Sequence, residues 1–257
     1  MRTDFQFSNV LGGTYSGGNL LFTKDGQTLL SPVGNRVSVY DLPQNRNVAL
    51  PFQVRRNIVC MDLSIKEDLL VIADEAGEIT FVHFASFSAL ESVNVHRPVQ
   101  AVQVSPNGCY FAAAVENDIQ VWTTPTPRTL QHRSVYRVSV LSVFSAPVTC
   151  LRWTKCSRFL VAGSEDTTVR LMPRHIKDSK RSTQIRKFNP IVTLTGHRAP
   201  VVGVFWRNHD CTELYSVSKD RAVCRYRMLP ELRHSVGPGQ ERNARRLERR
   251  LAKLKEQ

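Results

Sequence analysis

Val104-Ser105-Pro106-Asn107-Gly108-Cys109-Tyr110-Phe111, followed a few residues later by Asn117-Asp118-Ile119-Gln120-Val121-Trp122, decides how this chain folds. An apolar residue enters a short polar turn and a second apolar run leaves it. After another turn, apolar residues alternate with polar ones up to a large aromatic side chain. Period-two alternation beside Asn, Gly and Asp predicts short antiparallel strands joined by tight hairpins.

The same pattern recurs on both sides of this stretch. The entry into the turn is repeated at Phe22, Leu63, Trp153 and Trp206, so with Val104 the anchors lie 41, 41, 49 and 53 residues apart. The strand that ends each unit is repeated as Gly34-Asn35-Arg36-Val37-Ser38-Val39-Tyr40, Asp166-Thr167-Thr168-Val169-Arg170-Leu171-Met172 and Asp220-Arg221-Ala222-Val223-Cys224-Arg225-Tyr226. A looser version lies near residues 75–84. A period of about 40–45 residues is the length of a four-stranded propeller blade, and the longer gaps read as loop insertions. No sustained helical period precedes residue 240. The expected fold is therefore all-β, with about five blades and repeats near 18–42, 57–84, 97–122, 146–172 and 198–228.

The chain has 257 residues, 42% of them hydrophobic, enough to bury a sizeable core. Lys and Arg number 35 against 22 Asp and Glu, a net charge of +13, which favours acidic partners and nucleic acid first among them. No apolar run approaches the ~18 residues that span a bilayer, and the first residues lack a signal-peptide core, so neither membrane nor secretion is expected. Six scattered cysteines, with no CxxC pair and no zinc-ligand spacing, read as free thiols in a reducing compartment without a metal site.

The repeat resembles the WD-repeat family, whose blades surround a central channel. Thr195-Gly196-His197 corresponds to that family's Gly-His element and Asp220 to its turn aspartate. The resemblance implies a buried hydrogen-bonded set of His197, Ser216 or Ser218, and Asp220, with Tyr226 where the family's tryptophan stands. The fourth repeat keeps Asp166 but has Phe144-Ser145 in place of Gly-His. On this reading the last repeat is the best match. Asp4-Phe5-Gln6-Phe7-Ser8-Asn9-Val10-Leu11-Gly12, Leu30-Ser31-Pro32-Val33-Gly34-Asn35-Arg36-Val37-Ser38-Val39-Tyr40 and Tyr215-Ser216-Val217-Ser218-Lys219-Asp220 resemble, more specifically, the periodic tryptophan protein 2 family. That resemblance implies the incomplete first propeller of a tandem pair. It also implies a role in the UTP-B subcomplex of the nucleolar small-subunit processome, with other UTP-B and processome proteins and pre-ribosomal or small nucleolar RNA as partners.

Two stretches depart from the repeat. Residues 173–190 carry Arg174, Lys177, Lys180, Arg181, Arg186 and Lys187 against one acid, Asp178, and read as a basic inter-blade loop able to contact phosphates. A solvated loop without a partner is the plainer alternative. Beyond residue 230, Gly237-Pro238-Gly239 breaks the chain, and Ala244, Leu247, Leu251 and Leu254 then follow helical spacing. Flanked by Arg245, Arg249 and other cations, this short basic helix is expected either to dock on a partner or to fray.

No nucleophile elbow, HExxH, phosphate-binding loop or dinucleotide fingerprint is present. The expectation is a scaffold rather than an enzyme, with no cofactor and no small-molecule substrate, in the nucleus and nucleolus. The competing reading is a protein-only adaptor outside ribosome assembly.

Overall fold

A computed structural model describes residues 17–66, 68–125, 135–174, 191–207 and 213–227, and every regular element among them is a strand. The first sheet is β1 (Leu21–Phe22), β2 (Thr28–Val33), β3 (Arg36–Asp41) and β4 (Arg46–Ala49). The second is β5 (Ile58–Leu63), β6 (Leu69–Asp74), β7 (Glu78–His83) and β8 (Ser88–Asn94). The third is β9 (Val99–Val104), β10 (Tyr110–Val115), β11 (Asp118–Thr123) and β12 (Arg137–Ser142). The fourth is β13 (Val148–Trp153), β14 (Phe159–Ser164), β15 (Val169–Pro173) and β16 (Val192–Leu194). The fifth is β17 (Val201–Trp206), β18 (Glu213–Ser218) and β19 (Val223–Arg227). Within each sheet, sequence neighbours pair antiparallel.

The five anchors Phe22, Leu63, Val104, Trp153 and Trp206 all end the first strand of their sheet. The residue after the anchor makes the turn. Thr23, Ser64, Ser105 and Thr154 each donate their backbone N–H to the carbonyl at the start of the second strand. The hydroxyls of Thr23, Ser105 and Thr154 accept the returning N–H of Thr28, Tyr110 and Phe159 at 3.1–3.2 Å. This is why Ser or Thr recurs after the anchor: a hydroxyl there closes the turn that the backbone alone leaves short of acceptors. Gly108 holds φ +72° in this turn, a left-handed conformation that glycine adopts without Cβ strain.

Successive sheets face one another through apolar layers. Leu30, Val37 and Leu50 of the first sheet meet Met61, Leu70 and Ile72 of the second. Val71 and Phe81 meet Val102 and Phe111 across the next boundary, and Phe81 and Phe111 pack edge-on at 5.2 Å. Ile119 and Leu141 meet Trp153 and Leu160, and Val161 and Val169 meet Val201 and Leu214. A sheet buried on both faces reads as a continuous apolar run, and β6 is buried at all six residues. In β7 the adjacent Phe81 and Val82 are both buried, which blurs the period near residues 75–84; the register there pairs Val82 with Leu70, as Trp122 pairs with Phe111.

One expectation is corrected. The connection beginning at Pro173 does not run between blades: β15 pairs with β16, so it joins the third and fourth strands of one sheet. The β11 to β12 connection occupies the same place in the third sheet. The anchor spacing lengthens across these two sheets, whose third and fourth strands are joined by the long connections.

Candidate interaction surface and the last repeat

The hydrogen-bonded set expected of the last repeat divides into two pairs. His197, buried ahead of β17, lies with Nε2 2.5 Å from the Ser216 hydroxyl on β18. Two residues on, the Ser218 hydroxyl donates to the Asp220 carboxylate, which also accepts the N–H of Ala222 at 3.1 Å. Those two donors hold the Asp220 carboxyl below its ordinary range. Asp220 is exposed in its turn rather than buried with the histidine. His197 Nδ1 lies 3.7 Å from the Cys224 sulfur, and the Tyr226 hydroxyl donates to the Thr195 carbonyl at 3.3 Å. Tyr226 thus ties the β19 edge to the Gly-His turn, at the position where the family's tryptophan stands. Burial pushes its hydroxyl above the usual range.

In the fourth repeat Ser145, just ahead of β13, bonds the turn aspartate directly, a contact His197 does not make to Asp220. The Ser145 hydroxyl reaches Asp166 at 3.4 Å, and the Thr168 hydroxyl and N–H donate to the same carboxylate at 2.6 and 2.9 Å. Arg170 lies 3.6 Å from it, with its guanidinium 5.0 Å above the Phe144 ring. Burial works against ionisation of Asp166, but these donors and the arginine leave its pKa lowered.

Of the basic loop, Arg174 is described. Its guanidinium stacks 4.0 Å over Tyr110 of the preceding sheet, and its carbonyl accepts the Ser139 hydroxyl at 2.8 Å. Lys177, Lys180, Arg181, Arg186 and Lys187, the residues Leu247, Leu251, Leu254, Arg245 and Arg249, and residues 4–12 lie outside the described residues.

Two features escaped the sequence reading. Glu213, nearly buried, gathers three arginines: Arg207 at 2.8 Å, Arg225 at 2.5 Å and Arg227 at 3.2 Å. The bonds from Arg225 and Arg207 pull its carboxyl down to about 2. The second is a set of side chains that bridge successive sheets. Asn19 accepts Met61 N–H at 2.7 Å, Asp62 accepts Val104 N–H at 2.6 Å, and Gln103 accepts Trp153 N–H at 2.7 Å. At the last boundary Thr149 donates to the Val201 carbonyl at 2.5 Å. The signal for two of these was a polar residue directly before the anchor. Among the described residues no three His, Cys, Asp or Glu side chains converge as metal ligands.

What the surface offers is a stack of packed sheets with exposed apolar side chains on its outermost members. Phe22, Leu42 and Val48 are exposed on the first sheet, and Val202, Phe205 and Val223 on the last. Five repeating sheets, four of them entered through the same turn, are the mark of a WD-repeat protein, and the family profile described as WD domain, G-beta repeat matches residues 135–171. The match falls on the repeat with Asp166 rather than on the one with His197. Periodic tryptophan protein 2 of Saccharomyces cerevisiae is 37% identical over 224 residues, covering 87% of this chain and 23% of that protein. The homolog of Schizosaccharomyces pombe is 38% identical over 233 residues, covering 90% and 26%, and that of Mus musculus 33% over 224, covering 87% and 23%. The chain belongs to the periodic tryptophan protein 2 family. It spans about a quarter of the length of the curated relatives it matches.

Proposed function

We propose that this chain is a non-catalytic scaffold of small-ribosomal-subunit assembly, acting within the UTP-B subcomplex of the nucleolar processome. Family membership carries the reading. The stapled sheets support it, because a scaffold works by holding contact residues at fixed spacing while many modest contacts add up. Exposed apolar residues on the outer sheets supply surface for protein partners, and the cationic side chains supply surface for ribosomal precursor RNA.

Affinity purification of the tagged chain from nuclear extract, with and without ribonuclease, tests this. Recovery of processome proteins that survives ribonuclease is the expected result. Recovery of unrelated adaptors alone, with no pre-ribosomal RNA in either sample, overturns the assembly reading and leaves the protein-only adaptor.

A further inference from the structure

We infer that one end of the third, fourth and fifth sheets is a contact surface for the phosphate backbone of single-stranded RNA; this rests on the assembly reading above and gives its RNA contact a place. Each sheet has two ends. At one lie the turns from first to second strand and the connections from third to fourth. At the other lie the turns from second to third strand and the links to the next sheet.

The cations are not spread evenly between these ends. At the first end, Arg137 opens β12, Lys155 and Arg158 sit in the β13–β14 turn, and Arg174 follows β15. Arg207 follows β17, while Arg225 and Arg227 close β19. Among the described residues of this end, Glu213 is the acid that faces them. At the opposite end of the same sheets Arg97, Arg170, Arg198, Lys219 and Arg221 are matched one for one by Glu116, Asp118, Glu165, Asp166 and Asp220. Arg97–Glu116 and Arg170–Asp166 are ion-paired there at 3.5 and 3.6 Å. In the first two sheets, Lys24, Arg46 and Lys66 are balanced by Asp25, Asp41 and Asp68 at the equivalent end. The excess is a local feature, not the chain's average composition.

The surface is continuous across the third and fourth sheets. Asn107 N–H donates to the Ser157 hydroxyl at 3.1 Å, joining their two turns, and Arg174 lies over Tyr110. Arg137 stands 6.0 Å from the centre of the Trp122 ring, and its neighbour Tyr136 is 62% exposed. A guanidinium held over a ring is pre-ordered yet keeps N–H groups for phosphate oxygens. The exposed Tyr136 ring offers a stacking face to an unpaired base, which a duplex hides within its own stack.

The test is fluorescence anisotropy of the full chain with labelled oligouridine over a range of salt. Lys155→Glu/Arg158→Glu changes two exposed turn residues, and Arg198→Glu/Lys219→Glu is the opposite-end control; circular dichroism checks that both fold. The first variant is expected to bind about tenfold more weakly near 0.1 M salt, with a log–log salt slope shallower by about 1.4, or ~0.7 per lost phosphate contact. Tyr136→Ala is expected to weaken binding about fivefold or more and leave the slope unchanged. Equal losses at both ends, no loss at the first, or equal competition by duplex RNA or polyglutamate overturns the inference. Ribonuclease-resistant recovery of processome proteins by the wild-type chain reports separately on the scaffold reading. Oligouridine binding lost while that recovery persists in the Lys155→Glu/Arg158→Glu chain supports the assignment of RNA to this end.

Discussion

The Asp62 carboxylate accepts the backbone N–H of Val104 at 2.6 Å, joining the second sheet to the third across 42 residues of sequence. The first strand of each sheet has a partner strand on one side only, so its other edge carries unpaired backbone groups. A side chain from the preceding sheet meets one of them at each boundary. Asn19 and Gln103 do so as neutral amides, whereas Asp62 does so as an acid.

That difference makes the boundary sensitive to pH. Burial pushes the Asp62 carboxyl up to about 7, against the pull of Val104 N–H and of Arg152. The folded chain therefore keeps a proton that the unfolded chain has already lost above about pH 4. Its stabilising effect is fully present below the unfolded value and is lost as pH rises through 7, with a slope approaching 1.4 kcal/mol per pH unit, to order of magnitude. Asp62→Asn keeps an acceptor for Val104 and removes the proton. Urea midpoints should match wild type near pH 4 and exceed it at pH 8; a wild-type curve that does not fall relative to Asp62→Asn between these values refutes the account.

Gly163 sets the spacing between the fourth and fifth sheets. A Cβ there would stand 2.5 Å from Val201 Cγ1 and 2.8 Å from the Cys150 sulfur. Gly163→Ala is expected to cost about 1–3 kcal/mol by overpacking, read as a lower urea midpoint. Trimming the obstacle with Val201→Ala in the same chain should recover part of that loss. No recovery would mean that the glycine matters for its backbone rather than its neighbour.

The turn after the first four anchors is legible because its chemistry is local: a hydroxyl at Thr23, Ser105 or Thr154 and the strand return five residues later lie within one hairpin. The bridges are not. Nothing in the alternation around Asp62 shows that it meets Val104, because the partner is set by how sheets stack rather than by neighbouring residues. Glu213 is hidden in sequence for a similar reason, since Arg207 follows β17 while Arg225 and Arg227 lie on β19, and only pairing of both strands with β18 brings them to it. The long basic connection reads in sequence as a link between blades because the short β16 carries too few residues to announce a fourth strand.

Glu213 gives an acid-side prediction of opposite sign to Asp62. Its carboxyl, drawn down to about 2 by Arg225 and Arg207, stabilises the fold above the unfolded value near 4.5 and stops doing so as pH falls towards 2. Glu213→Gln should lower the thermal midpoint at pH 7, because three guanidinium groups lose their shared anion, and the gap to wild type should narrow on acidification. A constant gap down to pH 2.5 would assign the glutamate a packing role instead.

Double-mutant cycles distinguish the two separate pairs of the last repeat from one joined set. His197 and Ser216 touch directly, so His197→Ala with Ser216→Ala should show coupling of about 0.5–3 kcal/mol. The Ser218 hydroxyl donates to Asp220, and the same carboxylate closes the turn onto Ala222. Ser218→Ala with Asp220→Asn should therefore be coupled as well. Across the pairs, His197→Ala with Asp220→Asn should be close to additive, because Ser216 rather than Asp220 contacts the imidazole Nε2. Coupling of His197 to Asp220 as large as that of His197 to Ser216 would show one joined network in solution. Near-additivity would mean that the fifth sheet is tied at two points, the buried histidine and the exposed turn, each of which can be lost without the other.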